Sequence, residues 1–351
     1  MTPLRFGLIG AGQIAHVSAK DILEHEDAAL VAAHDLNAPR LAKLCETFDI
    51  PSACDSVDAL LANDQVDAVY IATPNKFHAP LAIQALNAGK HVILDKPFAM
   101  NLDEANAVAA AAKASSKLFT LGMNMRFRED SQKIKSLVDA GALGDLYHAK
   151  AYWMRRQGIP KIGTWFGNKE LAGGGCLLDI GVHMLDLCLY TLNNFDPVSV
   201  SGATYTQFGQ RGMGEGQWGQ SDREGLAFDV DDFATALIKF RNGATVSLDV
   251  SWACYAQEAS RNDVQLYGNQ GGATLFPAKL FRTDPLRTDC DVIDNIKADI
   301  PMKHASRFHN FINAILEKEP LCCTLDQALT IQRILDAIYA SAASGREVVI
   351  G

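Results

Sequence analysis

The sequence predicts two domains, an N-terminal α/β domain with a doubly wound parallel sheet and a C-terminal α+β domain with an open-faced, largely antiparallel sheet. The chain has 351 residues, about twice the length of a typical domain. Short apolar runs alternate with helical stretches in the first third, which is typical of parallel sheets. Later apolar runs follow one another through tight turns, which favours antiparallel pairing. We place the domains at residues 1–125 and 126–351.

Composition excludes several classes of function. Apolar residues make up 48% of the chain and charged residues 21%, which excludes wholesale disorder. The net charge of −9 disfavours nucleic-acid binding, because such a surface repels phosphates. No uninterrupted apolar run approaches the ~20 residues of a membrane helix, and the N-terminus is typical of a strand and not of a signal peptide. The eight cysteines form no C-x-x-C pair and no cluster with histidines, so we expect reduced thiols, a cytoplasmic location and no metal site.

The first apolar run, residues 4–9, leads directly into Gly-Ala-Gly-Gln-Ile-Ala at residues 10–15. This is the G-x-G-x-x-A pattern in the strand, turn and helix context that dinucleotide binding requires. The first glycine permits the turn, the second lets the backbone approach a pyrophosphate, and the alanine lets the helix pack on the strand. The helix N-terminus offers free N–H groups to the phosphates. The predicted cofactor contacts of this segment are Gly10, Gly12, Gln13 and Ile14.

A second apolar run, residues 29–33, is followed by Asp35, roughly 20 residues beyond the glycines. A carboxylate at this position can bind the ribose hydroxyls and would repel a 2′-phosphate, so the sequence favours NAD over NADP. The alternative is that Asp35 only caps the next turn. Arg40 has the reach to bind a 2′-phosphate, but we interpret it as a solvated helix residue.

The alternation continues with strands at residues 66–73, 91–94 and 118–123 and helices at 78–88 and 101–115. Ligands bind at the carboxyl ends of the strands in such sheets. Polar residues follow these predicted strand ends, and we therefore assign them to the cofactor site: Asp35, Thr73, Asn75 and Lys96.

The second domain begins with a predicted helix at 129–140, a long strand at 145–156 and a helix from the glycines at 173–175 to Leu192. Strands then dominate, with Asn242-Gly243 as a hairpin signal between two of them. A large half-polar sheet invites assembly through its outer face, as a homodimer or homotetramer. The later predicted elements are strands at 198–208, 232–240, 244–254, 263–267 and 273–276, and helices at 304–317 and 325–344.

A glycine-rich segment, residues 209–219, holds five glycines and Trp218. Two interpretations are open. The segment is either a flexible surface loop, or a lid or subunit-crossing loop beside a pocket.

Lys96 is the first candidate for chemistry. It follows a predicted strand and precedes Pro97, which hinders a helical conformation at Lys96. A lysine at the lip of a dinucleotide site can hold a substrate oxygen as a fixed cation. The alternative is a solvated surface lysine.

Asp179 and His183 are the second candidate. They are four residues apart in an apolar helix and so share one face. A carboxylate and an imidazole in such surroundings must be paired or face a cavity. A neutral imidazole can take the proton of a substrate hydroxyl. The alternatives are a buried ion pair, or metal ligation, for which no third ligand is evident; we interpret Asp186 as a polar residue of the helix face.

Together these residues indicate alcohol dehydrogenation. NAD accepts a hydride from the carbinol carbon, His183 removes the hydroxyl proton, and Lys96 polarises the oxygen. The family resemblance described below implies a sugar, glycoside or polyol substrate, which needs donors, acceptors and a stacking surface. We interpret Trp153 as a core residue, and neighbouring arginines on a strand would point to opposite sides. The predicted substrate contacts are Arg126, Arg155, Arg156, Trp165, Asp179 and His183.

Over essentially the whole chain the sequence resembles the Gfo/Idh/MocA family, named for glucose–fructose oxidoreductase, inositol dehydrogenase and a rhizopine catabolism protein. The motifs are residues 10–15, Ala72-Thr-Pro-Asn75 with His78, Asp95-Lys96-Pro97, and Gly174-Gly-x-x-x-Asp179-x-Gly-x-His183. The family usually has Glu-Lys-Pro, so Asp95 departs by one methylene. The resemblance implies a Rossmann domain, an open-sheet domain that mediates oligomers, and Lys96, Asp179 and His183 as the catalytic trio. It also implies cofactor roles for His78 and Asp95.

A narrower resemblance concerns the substrate. Residues 155–160, 164–170 and 271–277 resemble the bacterial D-glucoside 3-dehydrogenase branch. That branch implies NAD-dependent oxidation of the C3 hydroxyl of glucosides. Inositol 2-dehydrogenation and a redox-neutral NAD-dependent glycosidase reaction are the alternatives. A third function is that of a non-catalytic regulatory protein that senses dinucleotide. Such a protein does not need Lys96, Asp179 and His183 together, so their presence argues against it.

Overall fold

The computed structural model describes residues 3–219, 225–283, 286, 289–294, 296 and 302–350. Within these residues the strands form two sheets. One is built from the first third of the chain and the other from the remainder. The division at residue 125 stays a prediction.

The first sheet is parallel throughout, in the order β3-β2-β1-β4-β5-β6. This is the order of a Rossmann sheet, and it reverses between β1 and β4, which leaves a crevice at the carboxyl ends of those strands. Two of its strands, β4 and β6, are buried along their whole length because helices cover both faces. The strands are β1 (Leu4–Ile9), β2 (Ala28–His34), β3 (Ser52–Ala53), β4 (Ala68–Ile71), β5 (His91–Leu94) and β6 (Phe119–Leu121). The helices are α1 (Gln13–Leu23), α2 (Ala38–Phe48), α3 (Val57–Leu61), α4 (His78–Asn87) and α5 (Leu102–Ser115).

The second sheet has the order β14-β13-β12-β11-β7-β10-β9-β8-β15 in the described residues. Its pairs are antiparallel except β7 with β10, which run parallel. The hairpin predicted at Asn242-Gly243 joins β9 to β10, as expected. The strands are β7 (Leu146–Arg155), β8 (Pro197–Tyr205), β9 (Phe233–Phe240), β10 (Thr245–Ser251), β11 (Ser260–Gly268), β12 (Gly272–Leu275), β13 (Ala278–Thr283), β14 (Cys290–Ile293) and β15 (Val348–Val349).

Three helices of the later part of the chain, α6, α8 and α10, pack against this sheet. The helices of this part are α6 (Glu129–Asp139), α7 (Lys169–Ala172), α8 (Val182–Leu192), α9 (Arg307–Ile315) and α10 (Leu325–Ser344). A π-helical turn, Leu177–Gly181, leads into α8. In the described part of the chain one stretch, Lys169–Leu192, has the length and apolar composition of a membrane span, but 89% of its apolar window is buried inside the protein. It therefore has the burial of a core helix.

Helix α9 packs against the first sheet although it follows the second sheet in sequence. The Phe308 ring meets Tyr70 of β4 edge-on with centroids 5.2 Å apart, and Phe311 meets Phe6 of β1 at 6.3 Å. Both phenylalanines are fully buried. The chain therefore returns to its N-terminal sheet, and both phenylalanines belong to the hydrophobic core of that sheet.

Candidate active site

A cleft of about 840 Å³ lies at the carboxyl edge of the first sheet, against the second sheet. It brings together residues from both predicted domains, including the three predicted catalytic residues. His78, Arg126 and Arg156 do not line it. The predicted residues that line it are Gly10, Gly12, Gln13, Ile14, Asp35, Thr73, Asn75, Asp95, Lys96, Arg155, Trp165, Asp179 and His183.

The glycine turn fits a dinucleotide. Gly10 has φ +102°, and a Cβ atom there would lie 2.4 Å from the carbonyl oxygen of Ala72, so only glycine fits. A Cβ atom on Gly12 would have no atom within 4 Å, so the backbone at Gly12 is open to the cleft. Gly12 caps α1 without a side-chain hydrogen bond. The first N–H groups of α1 are thus available to a pyrophosphate.

Asp35 ties this turn to the end of β2. Its Oδ2 accepts a hydrogen bond from the Ala11 N–H at 2.6 Å, and its Oδ1 accepts from the Asn37 N–H at 2.7 Å. The carboxylate therefore does cap the following turn, and it also faces the cleft. Arg40 lines the same end of the cleft, which corrects its interpretation as a purely solvated residue.

Thr73 follows β4, and its Oγ1 is buried without a hydrogen-bond partner among the described residues. Buried hydroxyl groups normally have a hydrogen-bond partner, so an unpaired one in the cleft wall is available to a ligand. Asn75 is committed to the protein, because its Nδ2 donates to the carbonyl of Ala172 at 2.8 Å.

His78 corrects an expectation. It is buried outside the cleft, with Nδ1 2.7 Å from the carbonyl oxygen of Pro97 and Nε2 2.9 Å from that of Thr73. Burial lowers the pKa of its imidazole, although both carbonyls oppose that change. His78 therefore connects the two loops that carry Thr73 and Lys96, and it does not reach the cofactor space.

Lys96 and Asp179 form the centre of the cleft. The Lys96 Nζ donates to Asp179 Oδ1 at 2.7 Å and to the Asp179 carbonyl at 2.8 Å. The other carboxylate oxygen, Oδ2, accepts from the indole Nε1–H of Trp252 at 2.8 Å. Burial favours the protonated carboxyl, but the Lys96 ammonium and the Trp252 donor outweigh it and hold the pKa of Asp179 below its usual value. The Asp179 carboxyl is therefore ionised beside Lys96. The Lys96 side chain is only 17% exposed, which excludes the alternative of a solvated surface lysine.

His183 stands one turn further along the same helix. Its Nδ1 is buried without a hydrogen-bond partner in the part of the chain that the structure describes. Burial and the nearby Lys96 charge hold the pKa of His183 well below its usual value, against the opposing effect of Asp179. The ring is therefore neutral near pH 7 and able to accept a proton. Asp179 lies in the π-helical turn that precedes α8, and His183 lies in the first turn of α8. Single π-helical turns are frequent at functional sites.

Asp231 holds the start of this helix in place, a contact that the sequence analysis did not anticipate. Its Oδ1 accepts from the Gly175 N–H at 2.8 Å, and its Oδ2 accepts from the Leu177 N–H at 2.9 Å. The Tyr339 hydroxyl of α10 also donates to Oδ1, at 2.7 Å. These bonds satisfy N–H groups that a helix N-terminus leaves unpaired, which fixes the helix that carries Asp179.

Asp95 is anchored from below by Arg307 of α9. The Arg307 Nη1 donates to Asp95 Oδ1 at 3.0 Å and to the Gly122 carbonyl at 2.8 Å, and Nη2 donates to Ser18 Oγ at 2.9 Å. Asp95 lines the cleft next to Lys96. The arginine thus holds the loop that carries Asp95 and Lys96.

Arg126 corrects a second expectation. Its side chain has no solvent exposure and makes an ion pair with Asp186 of α8, whose side chain is 1% exposed. Its Nη1 also donates to the carbonyl of Cys322 at 2.6 Å and to Gln327 Oε1 at 2.7 Å. Arg126 therefore does not bind substrate, and Asp186 is its buried partner and not a polar residue of an exposed face.

The two neighbouring arginines separate as strand geometry predicts. Arg155, the last residue of β7, is half-buried in the cleft, whereas Arg156 is exposed and outside it. The expectation that Arg156 binds substrate is corrected for this reason.

Aromatic residues form the outer wall of the cleft. All four tryptophans of the chain line it, which includes Trp153, expected in the core, and Trp252, which the sequence analysis missed. The Trp165 ring stacks on Phe166 with centroids 3.8 Å apart. The glycine-rich segment 209–219 borders the cleft, where Trp218 is 43% exposed. It is held there because the Gly214 carbonyl accepts from the N–H groups of residues 158 and 159 at 3.0 Å.

Comparisons with known proteins agree with this architecture. A family model described as an oxidoreductase family with an NAD-binding Rossmann fold matches residues 4–123, and a model of the Gfo/Idh/MocA C-terminal domain matches residues 131–274. The chain is 34% identical to D-glucoside 3-dehydrogenase of Escherichia coli (strain K12) over 350 residues, which cover 99% of this chain and 97% of that protein.

Solved structures share the fold. GenD2 from gentamicin A biosynthesis, in complex with NAD, is 25% identical with a TM-score of 0.80 and covers 100% of this chain and 97% of that chain. Levoglucosan dehydrogenase, in complex with NADH and levoglucosan, is 22% identical with a TM-score of 0.82 and covers 99% of this chain and 100% of that chain. The protein belongs to the Gfo/Idh/MocA family of NAD-binding oxidoreductases.

Proposed function

We propose that the protein oxidises a secondary hydroxyl of a sugar or glycoside to the ketone, at C3, with NAD as the hydride acceptor. The observation that carries the proposal is the arrangement of Lys96, Asp179 and His183 in one cleft beside a glycine turn that fits a dinucleotide. A neutral histidine can accept the hydroxyl proton, and a lysine beside it can stabilise the negative charge that develops on the oxygen.

Lys96 positions the substrate oxygen. An ammonium has three donors, and Asp179 takes two of those of Lys96 through its side chain and its carbonyl. The remaining donor binds the hydroxyl oxygen of the substrate and stabilises the negative charge that develops there. Asp179 fixes the direction of that donor, and Trp252 fixes Asp179.

His183 removes the hydroxyl proton as the general base. Its low pKa keeps the ring neutral and ready to accept, while the adjacent Lys96 charge makes the bound hydroxyl easier to deprotonate. When bound, NAD supplies the hydride acceptor. Asp35 at the far end of the cleft favours NAD over NADP through the ribose hydroxyls.

The choice of a glycoside rests on two supports. The relative with 34% identity is named D-glucoside 3-dehydrogenase and matches this chain over nearly its whole length. The tryptophans in the cleft wall offer flat surfaces for the apolar face of a pyranose ring. Trp165 and Arg155 are the substrate contacts we propose beside Asp179 and His183.

The first test follows NADH absorbance while NAD is offered with methyl glucosides, free glucose, disaccharides, myo-inositol and scyllo-inositol. NADH formed with glucosides, together with a 3-keto product, is the expected result. NADH formed with an inositol alone would contradict a glucoside substrate and would leave the proposed roles of Lys96, Asp179 and His183 unchanged. Release of aglycone from an aryl glucoside without net NADH would identify the glycosidase reaction, and higher turnover with NADP would contradict the role of Asp35.

We further propose that the protein assembles as a homodimer or homotetramer through the outer face of the second sheet. Tyr205 and Leu237, which lie on the same face of that sheet, are large apolar side chains exposed to solvent. Light scattering after size exclusion measures the state directly. The eight free cysteines support a reducing, cytoplasmic location.

A further inference from the structure

The side chain of Arg155 is held in the wall of the cleft by packing contacts. Its guanidinium carbon lies 4.4 Å from the centre of the Trp153 ring, a cation–π contact. On its other side, a Cβ atom at residue 158 would lie 2.5 Å from Arg155 Cδ, so the glycine at that position makes room for the arginine stem. The side chain is therefore held between an indole and a bare backbone before any substrate arrives.

The guanidinium of Arg155 is not neutralised by an ion pair within the described residues. Within the described residues its guanidinium makes no hydrogen bond or ion pair; its recorded side-chain contact is the Trp153 ring. Burial lowers its pKa, and Asp179 opposes that change only in part. A half-buried guanidinium in this condition has five donors available to a ligand.

The acids that line the cleft are already engaged. Asp35 accepts from two backbone N–H groups, Asp95 pairs with Arg307, and Asp179 pairs with Lys96 and Trp252. None of these three carboxylates is hydrogen-bonded to Arg155. The complementary oxygen atoms must therefore come from what enters the cleft.

Arg155 also lies near the reacting groups. Its guanidinium lies over the Trp153 ring, whose centroid is 6.4 Å from that of the His183 ring. Its positive charge also contributes to the low pKa values of both Asp179 and His183. A ligand atom bound by Arg155 is consequently close to the carbinol that His183 deprotonates. This places the arginine beside the reacting position of the sugar and away from the glycine turn.

We propose that the Arg155 guanidinium binds a pair of neighbouring oxygen atoms on the substrate, on the side of the cleft where His183 lies. This assignment rests on the proposed function and deepens it. Two sources share that chemistry: vicinal ring hydroxyls, or the carboxylate of an acidic sugar. The planar fork of arginine matches either pair, and lysine does not reproduce it. Arg155 thereby determines which sugars are accepted.

The test compares Arg155→Met with Arg156→Met, a neighbouring arginine outside the cleft. Methionine retains the apolar stem over Trp153. Each enzyme is assayed with methyl glucoside, its 2-deoxy and 4-deoxy analogues, and methyl glucuronide. For Arg155→Met we expect a loss of kcat/KM of about 10- to 100-fold on the preferred substrate, the range for hydrogen bonds to a charged group. Arg156→Met should stay close to the unmodified protein, and Arg155→Lys should recover only part of the loss.

The decisive result is coupling between the variant and the substrate. If Arg155 binds vicinal hydroxyls, the unmodified protein should have a kcat/KM for one deoxy analogue that is as low as the kcat/KM of Arg155→Met for methyl glucoside. Arg155→Met should then oxidise that analogue and methyl glucoside equally well. If it binds a carboxylate, the glucuronide is preferred by the unmodified protein alone. In either case the acid limb of the kcat/KM profile should move to higher pH in Arg155→Met, because a charge that lowers the pKa of His183 is gone.

An equal loss on every substrate, with an unchanged pH profile, would overturn the assignment and leave Arg155 a structural residue. That outcome leaves the proposed function intact. If the unmodified protein neither oxidises these sugars nor binds them in the presence of NADH, the proposed function fails and the assignment fails with it.

Discussion

His183 is the residue on which the proposed chemistry depends most directly. We expect His183→Ala to lower kcat by about 10²- to 10⁴-fold, the range for a positioned acid or base. NADH binding should persist, since the glycine turn and Asp35 are untouched. Steady-state kinetics together with a NADH titration separate the two effects. Near-normal turnover would remove His183 from the mechanism.

The positions of Lys96, Asp179 and His183 in one cleft were predictable because each residue lies in a local motif. Lys96 follows a strand, and Asp179 and His183 share one helix face, so sequence spacing alone places them. Trp252 and Arg307 were not predictable. Trp252 lies 73 residues from Asp179, and Arg307 lies 212 residues from Asp95, so no local pattern indicates either contact.

At the scale of elements, Arg126 joins three parts of the fold. It lies in the short 3-10 helix Asn124–Phe127, pairs with Asp186 of α8, and bonds to Gln327 in the first turn of α10. Such an arginine cannot be distinguished from a ligand-binding one by sequence, since the same donors serve both purposes. Burial decides between them.

We therefore expect Arg126→Met to act on stability. It would leave the buried Asp186 carboxylate unpaired, and removal of one partner from a buried ion pair costs about 3–5 kcal/mol of unfolding free energy. Urea denaturation measures the loss, with Arg156→Met as the control. The KM for the sugar should not change in the folded fraction. A raised KM at unchanged stability would restore Arg126 to the substrate site.

Strand and helix positions were largely predictable, whereas their partners were less so. The alternation of the first third predicted the parallel sheet and its ligand-binding edge. The parallel pairing of β7 with β10 and the return of α9 to the first sheet were missed, because periodicity reports which residues are buried and not what covers them. Short strands such as β3 and β15, of two residues each, have no pattern to detect.

At the scale of the whole molecule, histidines set the response to acid. Burial lowers the pKa of six of them, and that of His91 falls to about 4. The unfolded chain takes up protons at these side chains near their ordinary pKa, and the folded protein does not. Stability therefore falls as the pH drops below that ordinary value. The six are His16, His78, His91, His148, His183 and His309.

We expect the free energy of unfolding to decrease from pH 7 towards pH 5, as measured by urea denaturation across that range. His91→Asn keeps an acceptor for the Leu118 N–H and should reduce the slope by up to about one proton. His304 provides the opposite control. Its pKa is raised by its contacts with Cys322 and Glu319, so His304→Asn should make the decline steeper. A flat profile would contradict this account.

The placement of all four tryptophans in the cleft wall has an optical consequence. The indole emission of the protein therefore comes entirely from residues that line the cleft, with no tryptophan elsewhere to dilute the signal. NADH absorbs in the range where indoles emit, so its arrival should quench that emission by energy transfer. Binding of NADH can therefore be titrated through the tryptophan fluorescence of the protein, without an added label.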